Sequence, residues 1–536
     1  MARELHDDQR IAASGINPEA RSLLRPRGLL AVIVLLVVVS RLLQARESLW
    51  LDELHTAWAA GAAWADVARR AAEGNHSPVF FWMEWLIVRA LGASELSLRL
   101  LSLVAGALLP VFLFRVTEMW TGSAWLGLLP AWLVAVDPQA IYFGTEARPY
   151  ALIQLLAVVH IALFARVVER PTAGRRLALV TGMTFLFYLH YTAILLLAAE
   201  MTYFVVVRAR QPRTARYGWS AVAVDVSAVA LLSLGALGNL QAVYARHTNW
   251  ERFVEQRSPW EAILMVPWAW TALVMLAIAQ IVRLRLRRDA NAQLPGERST
   301  PCWLALCWLL VPVFIAWLAT ASNAARLLHP RYLAAAEPAA IVLLVLALQA
   351  MPWRRLQAAL AFTLAAVALI ESRIPTEIVA HGRLIAYRTD DWRSAIDYFN
   401  HHPGHRRDPV LLRSLLIESD ELRTSDNAQL REYCLYPVTS LYAIDARGER
   451  IMPLPRTESW KLSVSDLRRV RTAPGFWLIM EANDPSATQI ERQLVQTLSQ
   501  IPPKEGTMGG SFAWAITTRE MFGSVRVLRF ERTDHE

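Results

Sequence analysis

Long apolar runs recur through the first two thirds of the chain, most of them roughly 17 to 22 residues long and separated by short polar segments. A run of about 20 apolar residues is long enough to cross a bilayer as a helix. The pattern predicts eleven membrane spans, at about 28–43, 98–118, 123–137, 148–168, 176–190, 192–208, 218–238, 261–281, 301–320, 332–350 and 356–374. We expect residues 1–27, before the first span, to form a cytoplasmic tail.

The stretch 44–97 does not fit this pattern. Its most apolar part, 79–88, is short and carries Glu84 in its middle, which is more typical of a helix lying on a membrane surface than of a span. We therefore predict two amphipathic helices, at 54–72 and 79–91. They would lie in an outer loop of a membrane domain that covers 28–374.

Arginine-rich loops support this arrangement. If 79–91 does not cross, all of these loops fall on the same side as the N-terminus, which the positive-inside rule makes cytoplasmic. An odd number of spans then puts the C-terminus outside. The arginines concerned are Arg166, Arg170, Arg175, Arg176, Arg208, Arg210, Arg213, Arg216, Arg283, Arg285, Arg287, Arg288, Arg354 and Arg355.

From about residue 375 the long apolar runs stop and mixed patterns begin. Helical spacing at 391–399 and 487–501 alternates with strand-like segments at 409–416, 475–480 and 524–530. Residues 375–536 should therefore form a soluble, extracytoplasmic α/β domain. The predicted fold class is a polytopic α-helical membrane protein with a C-terminal α/β domain.

Composition agrees with a membrane protein and narrows its function. Of the 536 residues 55% are hydrophobic, 21 are Trp, and mean hydropathy is +0.29. The formal charge of +9 comes from arginines that fall mostly in short loops between apolar runs, so it reflects topology and predicts no nucleic-acid partner. The three cysteines have no spacing typical of a metal site.

Polar side chains of several kinds converge on the predicted outer face. Each has a plain structural explanation, since aromatic residues form interfacial belts, arginines snorkel, and Asp52-Glu53 could simply cap a helix. Together they suggest a binding site. The set is Asp52, Glu53, His55, Asn75, His76, Asp137, Tyr142, Glu146, Arg148, Tyr150, His190, Tyr191, Asn239, Tyr244, Arg246, His247, Glu251, Arg326, His329, Arg331 and Tyr332.

These residue types suit a phosphate-bearing lipid and a hydroxyl acceptor. Guanidinium groups and protonated histidines stabilise a departing phosphate, which indicates roles for Arg148, Arg331, His76 and His190. One carboxylate must take the proton of the attacking hydroxyl, and we assign that role to Asp52. For Glu53 three alternative roles stay open: it could orient the acceptor, cap a helix or pair with an arginine. Further substrate-binding candidates are Tyr142, Glu146, Tyr150 and Tyr191.

Four motifs resemble the membrane-embedded glycosyltransferases of the GT-C fold, in particular the family that joins protein O-mannosyltransferases to the lipid A aminoarabinose transferase. The resemblance covers about 28–350. It implies a polyprenyl-phosphate-linked sugar as donor, transfer to a hydroxyl-bearing acceptor on the outer face of the plasma (inner) membrane, and Asp52 as base. The motifs are Trp50-Leu51-Asp52-Glu53, His76-Ser77-Pro78, Glu146-Ala147-Arg148-Pro149-Tyr150 and His190-Tyr191.

The second motif departs from the aminoarabinose branch, where a glutamate and a lysine precede the proline. Here His76 and Ser77 occupy those positions. A metal site built on that glutamate and a lysine contact to phosphate therefore do not carry over. His76 is the one candidate metal ligand, and a divalent metal requirement stays open.

Two other functions remain as alternatives. A transporter or flippase for a lipid-linked sugar ranks second, because the predicted spans are nearly charge-free at their centres and show no internal repeat. A noncatalytic scaffold that presents residues 375–536 ranks third.

Overall fold

The computed structural model describes residues 25–210, 217–246, 254–288, 299–384, 390–402, 406–425, 427–445, 450–456, 464–481, 484–500 and 512–534. The predicted tail up to residue 24, the loop arginines Arg213 and Arg216, and the candidates His247 and Glu251 lie outside these ranges.

Helices dominate the described part of the chain. In order they are α1 Pro26–Gln44, α2 Leu51–Ala60, α3 Trp64–Glu73, α4 Pro78–Leu91, α5 Glu95–Leu98, α6 Leu100–Thr121, α7 Ala124–Val136, α8 Pro138–Gly144, α9 Tyr150–Glu169, α10 Ala173–Leu189, α11 Leu195–Arg210, α12 Trp219–Ser233, α13 Leu237–Ala245, α14 Pro259–Leu264, α15 Ala269–Arg288, α16 Ser299–Ala321, α17 Glu337–Gln349, α18 Arg354–Glu371, α19 Ile374–His381, α20 Trp392–His401, α21 Ala428–Cys434, α22 Val464–Thr472 and α23 Asp484–Gln500. The strands are β1 Val410–Arg413, β2 Ile451–Pro453, β3 Gly475–Glu481, β4 Phe512–Phe522 and β5 Val525–Asp534.

The chain divides into two compact units. A helical unit comprises Met1–Gln44, Leu100–Leu237 and Val254–Ile385. A mixed unit comprises Ala45–Arg99, Gly238–Phe253 and Ala386–Glu536. The mixed unit thus joins the loop that carries Asp52-Glu53 to the C-terminal segment.

Seven helices among the described residues are long and apolar enough to span a membrane, or eight if α7 and α8 are one bent span. The predicted membrane-protein fold is confirmed, while the count of eleven is not. Two of the predicted spans contain shorter apolar helices, Tyr191–Val206 and Glu337–Gln349. The span predicted at 123–137 ends at Asp137, where the chain bends by 69° and the carboxylate caps α8 by accepting from the Ala140 amide at 2.8 Å.

The helical unit packs around α17, which is buried at every residue but its last. A helix that is apolar on all sides must be covered on all sides, which explains its central place. At the periphery α1 packs on α6 and α7 through Leu30, Ile33 and Val37. Gly127 permits the close approach of α7 to α6, since a Cβ there would lie 2.9 Å from the Phe114 ring and carbonyl.

In the mixed unit, the predicted helix at 54–72 is two helices, α2 and α3. The break at 61–63 is stabilised by side chains of α4, because Trp85 Nε1 and Arg89 Nη2 both donate to the Ala62 carbonyl, at 3.0 and 3.2 Å. Hydrogen bonds of this kind replace those that a continuous helix would make. The predicted helix at 79–91 is confirmed as α4.

The C-terminal part of the mixed unit contains a five-stranded sheet of order β2-β1-β3-β5-β4. Strand β1 pairs in parallel with β2 and with β3, so that Leu411 lies opposite Met452 and Leu478. Strand β5 pairs antiparallel with both β3 and β4. One core packs Phe476, Leu478, Leu494 and Leu528 together. The predicted strands and helices of this region are confirmed, while β2, β4, α21 and α22 were not predicted from the sequence.

Candidate functional site

The Asp-Glu motif lies in the first turn of α2. Trp50, with extended backbone, precedes this turn, and its amide donates to Glu53 Oε2 at 3.3 Å. Carboxylates are favoured at a helix N-terminus, where backbone amides lack partners within the helix. Glu53 therefore caps α2, one of the roles that the sequence left open.

Glu53 also forms an ion pair with Arg99 in which neither side chain is exposed. Arg99 Nε donates to Glu53 Oε1 at 2.7 Å, and Nη2 donates to Oε2. The other hydrogen bonds of this guanidinium go to the carbonyls of Ala45, Glu47 and Ser48, at 2.9, 2.7 and 3.1 Å. All five N–H donors of Arg99 are thus used. Burial opposes the charge, but the Glu53 carboxylate overrides it and keeps the pKa of Arg99 above its usual value.

Asp52 differs from Glu53 in exposure. Its neighbour is 0% exposed, whereas Asp52 is half-buried. Its charge acts on two carboxyl groups of the C-terminal segment, Glu418 and Glu481. The pKa of Glu418 is raised to about 7, mainly because the group is buried; the charge of Asp52 is one of several smaller causes. In this motif the Glu53 carboxylate is buried in an ion pair, whereas the Asp52 carboxylate is only half-buried.

His55, one turn after Asp52, is enclosed by aromatic rings. Its centroid lies 5.4 Å from Phe81, 5.6 Å from Tyr436 and 5.9 Å from His76. Gly74 borders the same ring so closely that a Cβ there would lie 2.4 Å from His55 Cε1. The Nε2 atom of His55 lies 3.0 Å from the Arg70 carbonyl. Helix α2 is thus tightly packed at His55, one turn after Asp52.

His76 follows Asn75, whose φ of 61° turns the chain toward α4. The His76 carbonyl accepts from Asn239 Nδ2 at 2.9 Å, and its ring lies 5.7 Å from that of Phe81. Across the described residues, no group of three or more His, Cys, Asp and Glu side chains is placed to hold a metal ion. The described part of the chain therefore builds no metal site around His76.

A second group of candidates lies in the helical unit. Glu146 and Arg148 are in the turn between α8 and α9, where they are 0% and 3% exposed. The Arg148 amide donates to the Glu146 carbonyl at 2.7 Å, and Ser102 Oγ donates to the Arg148 carbonyl at 2.8 Å. These bonds fix a buried guanidinium and a buried carboxylate at the start of α9.

The rings of this group form a continuous series. Tyr150 lies 5.9 Å from His190, which lies 5.6 Å from Tyr332. His190 Nδ1 is 2.8 Å from Thr192 Oγ1, and the charge of Arg148 is near enough to act on the imidazole. The structure thus brings Arg148, Tyr150 and His190 together, and Arg331 immediately precedes Tyr332.

Three further substrate-binding candidates, Tyr142, Tyr191 and Arg331, lie in the same helical unit. Tyr142 is half-buried on α8, with its ring 6.0 Å from Phe143, and Phe143 lies 5.1 Å from Tyr150. Tyr191 lies 5.1 Å from Phe187. The Arg331 amide donates to His329 Nδ1 at 3.3 Å, which fixes the short 3₁₀ turn that carries the arginine.

The sequence reasoning missed several polar groups inside the predicted spans. Glu337 accepts from both Gln139 and Gln154, all within the helical unit. His160 and Glu200 are 2.8 Å apart and buried. The expectation that span centres are nearly charge-free is therefore wrong. Burying a carboxylate costs less free energy when a hydrogen-bonding partner is buried with it than when it is buried alone. In the sequence, the sign of such a partner is a Gln or His within an otherwise apolar run.

Comparisons with known proteins agree with the fold. The model of the family described as Dolichyl-phosphate-mannose-protein mannosyltransferase matches residues 75–233. No curated protein sequence matches the chain. The fold is similar to that of ArnT from Cupriavidus metallidurans bound to undecaprenyl phosphate, with a TM-score of 0.50 and 13% identity over 93% of this chain and 96% of that one.

The apo-state structure of ArnT from the same organism aligns over 94% of this chain and 98% of that one, with 10% identity and a TM-score of 0.39. The fold assignment rests on the lipid-bound structure alone. The chain therefore has the GT-C-like fold predicted from its sequence, and the family model covers less than a third of its length.

Proposed function

We propose that the protein transfers a sugar from a polyprenyl-phosphate-linked donor to a hydroxyl group on a protein, lipid or glycan acceptor. The ArnT structure that shares the fold holds undecaprenyl phosphate, and the family description names dolichyl phosphate mannose as a donor. Both compounds are polyprenyl phosphates. We propose further that transfer takes place at the outer face of the plasma (inner) membrane, since the arginine-rich loops mark the opposite side as cytoplasmic.

The observation that carries the mechanism is the contrast between the two adjacent carboxylates. Glu53 is buried and bonded through both oxygens to Arg99, whereas Asp52 is half-buried in the same helical turn. A general base must reach the hydroxyl that it deprotonates. Asp52 meets that condition, and Glu53 is better described as the residue that positions it.

The reaction is a single displacement. Asp52 takes the proton of the acceptor hydroxyl as the acceptor oxygen forms a bond to the anomeric carbon. The bond between that carbon and the phosphate oxygen breaks, and its electron pair leaves with the polyprenyl phosphate. A phosphate leaves without being protonated, so one carboxylate is sufficient.

The departing phosphate gains negative charge that the protein must stabilise. We assign this role to Arg148 and Arg331, with His190 beside Tyr150 and Tyr332. Guanidinium groups form paired, charge-assisted hydrogen bonds with phosphate oxygens. His76, Tyr142, Glu146 and Tyr191 are proposed to contact substrate, and two backbone hydrogen bonds hold the turn that carries Arg148.

The test is transfer in proteoliposomes that contain the purified full-length protein. A panel of radiolabelled undecaprenyl-phosphate hexoses and pentoses serves as donor, with a membrane extract as the source of acceptor. The expected result is label covalently attached to an acceptor and an equal amount of released undecaprenyl phosphate. Movement of labelled lipid between leaflets with the sugar still attached would instead support the flippase alternative.

A further inference from the structure

We infer that Tyr442 and Arg393, both in the C-terminal α/β segment, are positioning residues for Asp52. The inference rests on the proposed function, because it concerns how the proposed base is held. It gives the C-terminal segment a role in the transfer reaction itself. All of the contacts that support it lie within the mixed unit.

Tyr442 bonds directly to the chain beside the motif. Its hydroxyl accepts from the Leu49 amide at 2.9 Å and donates to Glu95 Oε1 at 2.9 Å. The residue is only 8% exposed, so water competes little for these bonds. Burial raises the pKa of Tyr442 further above its usual value, which keeps the phenol protonated and able to donate.

Arg393 holds the same segment through two hydrogen bonds and makes a third to Glu95. Its backbone amide donates to Ser48 Oγ at 3.1 Å, and its Nη1 donates to the Arg46 carbonyl at 3.2 Å. The same Nη1 donates to Glu95 Oε1 at 3.0 Å. Glu95 thus accepts from both Tyr442 and Arg393, and the bonds to Ser48 and Arg46 hold the chain before α2 in one place.

These contacts complete a network that reaches Asp52. The carbonyls of Ala45, Glu47 and Ser48 accept from Arg99, whose guanidinium binds Glu53. Segment 45–50 is therefore bonded to Arg99 and also to the C-terminal segment, and α2 begins directly after it. A displacement of about 1 Å in a catalytic group can reduce the rate by about 100-fold. Tyr442 and Arg393 therefore influence transfer without touching substrate.

Contacts further along the helices support the same conclusion. Tyr433 and Tyr436 of the C-terminal segment pack on Trp58, with centroids 5.7 and 6.0 Å from its ring. Arg70 Nη2 donates to Glu432 Oε1 at 2.9 Å. The C-terminal segment therefore contacts α2 and α3 beyond the motif as well.

The test compares Tyr442→Phe with wild type in the full-length protein. The substitution removes the hydroxyl and keeps the ring. The matched control is Tyr398→Phe, since Tyr398 lies on α20 in the same segment and packs on His402 and Phe522. Two properties are measured: deuterium uptake of the amides in 45–56, and transfer from the undecaprenyl-phosphate sugar panel with kcat and donor KM separated.

We expect Tyr442→Phe to speed exchange in 45–56 and to lower kcat about ten-fold or more, with donor KM unchanged. Tyr398→Phe should match wild type in both measurements. Unchanged exchange would overturn the positioning role whatever the activity, and faster exchange with unchanged kcat would overturn its link to transfer. If wild type itself transfers no sugar, the proposed function fails, and exchange alone then decides whether Tyr442 holds the segment.

Discussion

Arg99 donates to both carboxylate oxygens of Glu53, and neither side chain is exposed. The pair joins the residue just before α6 to the first turn of α2. Glu53 is thus held by a permanent cation, whereas Asp52 beside it is only half-buried. This difference is why we propose Asp52, and not Glu53, as the group that takes a proton from substrate.

The Arg99–Glu53 pair should be essential for stability. Arg99→Ala leaves Glu53 buried without its cation, and breaking a buried pair in this way costs about 3 to 5 kcal/mol. We expect a clear fall in the melting temperature of the detergent-solubilised protein, followed by tryptophan fluorescence. The control is Arg69→Ala, because Arg69 forms a partly exposed pair with Glu73 at 3.0 Å. A fall no larger than that of the control would contradict the assignment.

Gly74 should tolerate no side chain. A Cβ there would lie 2.4 Å from His55 Cε1, and His55 is enclosed by rings that prevent it from moving. We expect Gly74→Ala to destabilise the protein by about 1 to 3 kcal/mol, as overpacked cores do. Gly174→Ala is the matched control, since its Cβ would meet nothing within 4 Å. Equal unfolding midpoints for the two variants would show that His55 is less confined than the structure indicates.

Glu418 should make stability depend on pH. Burial raises its pKa from about 4.5 to about 7, so the folded protein retains a proton that the unfolded chain loses in this range. The stability that Glu418 contributes is therefore fully present below about pH 4.5 and is lost as the pH rises through about 7, by about 3 kcal/mol in total. Glu418→Gln should remove this loss, while the exposed Glu520→Gln should keep it. Parallel plots of melting temperature against pH for wild type and Glu418→Gln would refute the shift.

Arg148 should be needed for donor binding. Replacing it by glutamine removes a charged donor, and a hydrogen bond to a charged group contributes about 1.5 to 3 kcal/mol, or roughly a 10- to 100-fold change in affinity. We expect Arg148→Gln to weaken binding of undecaprenyl phosphate by that factor, measured by quenching of tryptophan fluorescence. Arg175→Gln is the control, because Arg175 is partly exposed and donates to the carbonyls of Arg166 and Arg170. Equal affinities in the two variants would remove Arg148 from the phosphate site.

Much of the fold follows from periodicity in the sequence. The apolar runs predicted a polytopic membrane protein, and alternating patterns predicted β3 and β5 in the tail. The number of spans was harder to predict, because an apolar helix that is surrounded by protein can be too short to cross a membrane. The 13-residue α17 is buried throughout its length and resembles a span in composition.

The site could be predicted only where its residues stand in a motif. Asp52, Arg148 and His190 are neighbours of other polar residues and were recognisable for that reason. Arg99 stands alone at the start of an apolar run, and its partner Glu53 is 46 residues away. Tyr442 is 393 residues from Leu49. Hydrophobic periodicity carries no information about pairs so far apart, so these residues emerged only from the fold.

The central claim is that Asp52 is the general base, and Asp52→Asn tests it most directly. The change keeps the shape of the side chain and removes its ability to take a proton. A base of this kind contributes about 100- to 10,000-fold to the rate. Transfer is measured in proteoliposomes, with Asp66→Asn as the control because Asp66 is half-exposed on α3 and pairs with Arg69.

If Asp52 is the base, Asp52→Asn should lose at least about 100-fold in kcat. Mass spectrometry should show that the variant still co-purifies with a polyprenyl-phosphate sugar, and Asp66→Asn should behave as wild type. A kcat for Asp52→Asn within about two-fold of wild type, well short of the loss expected for a missing base, would contradict the claim.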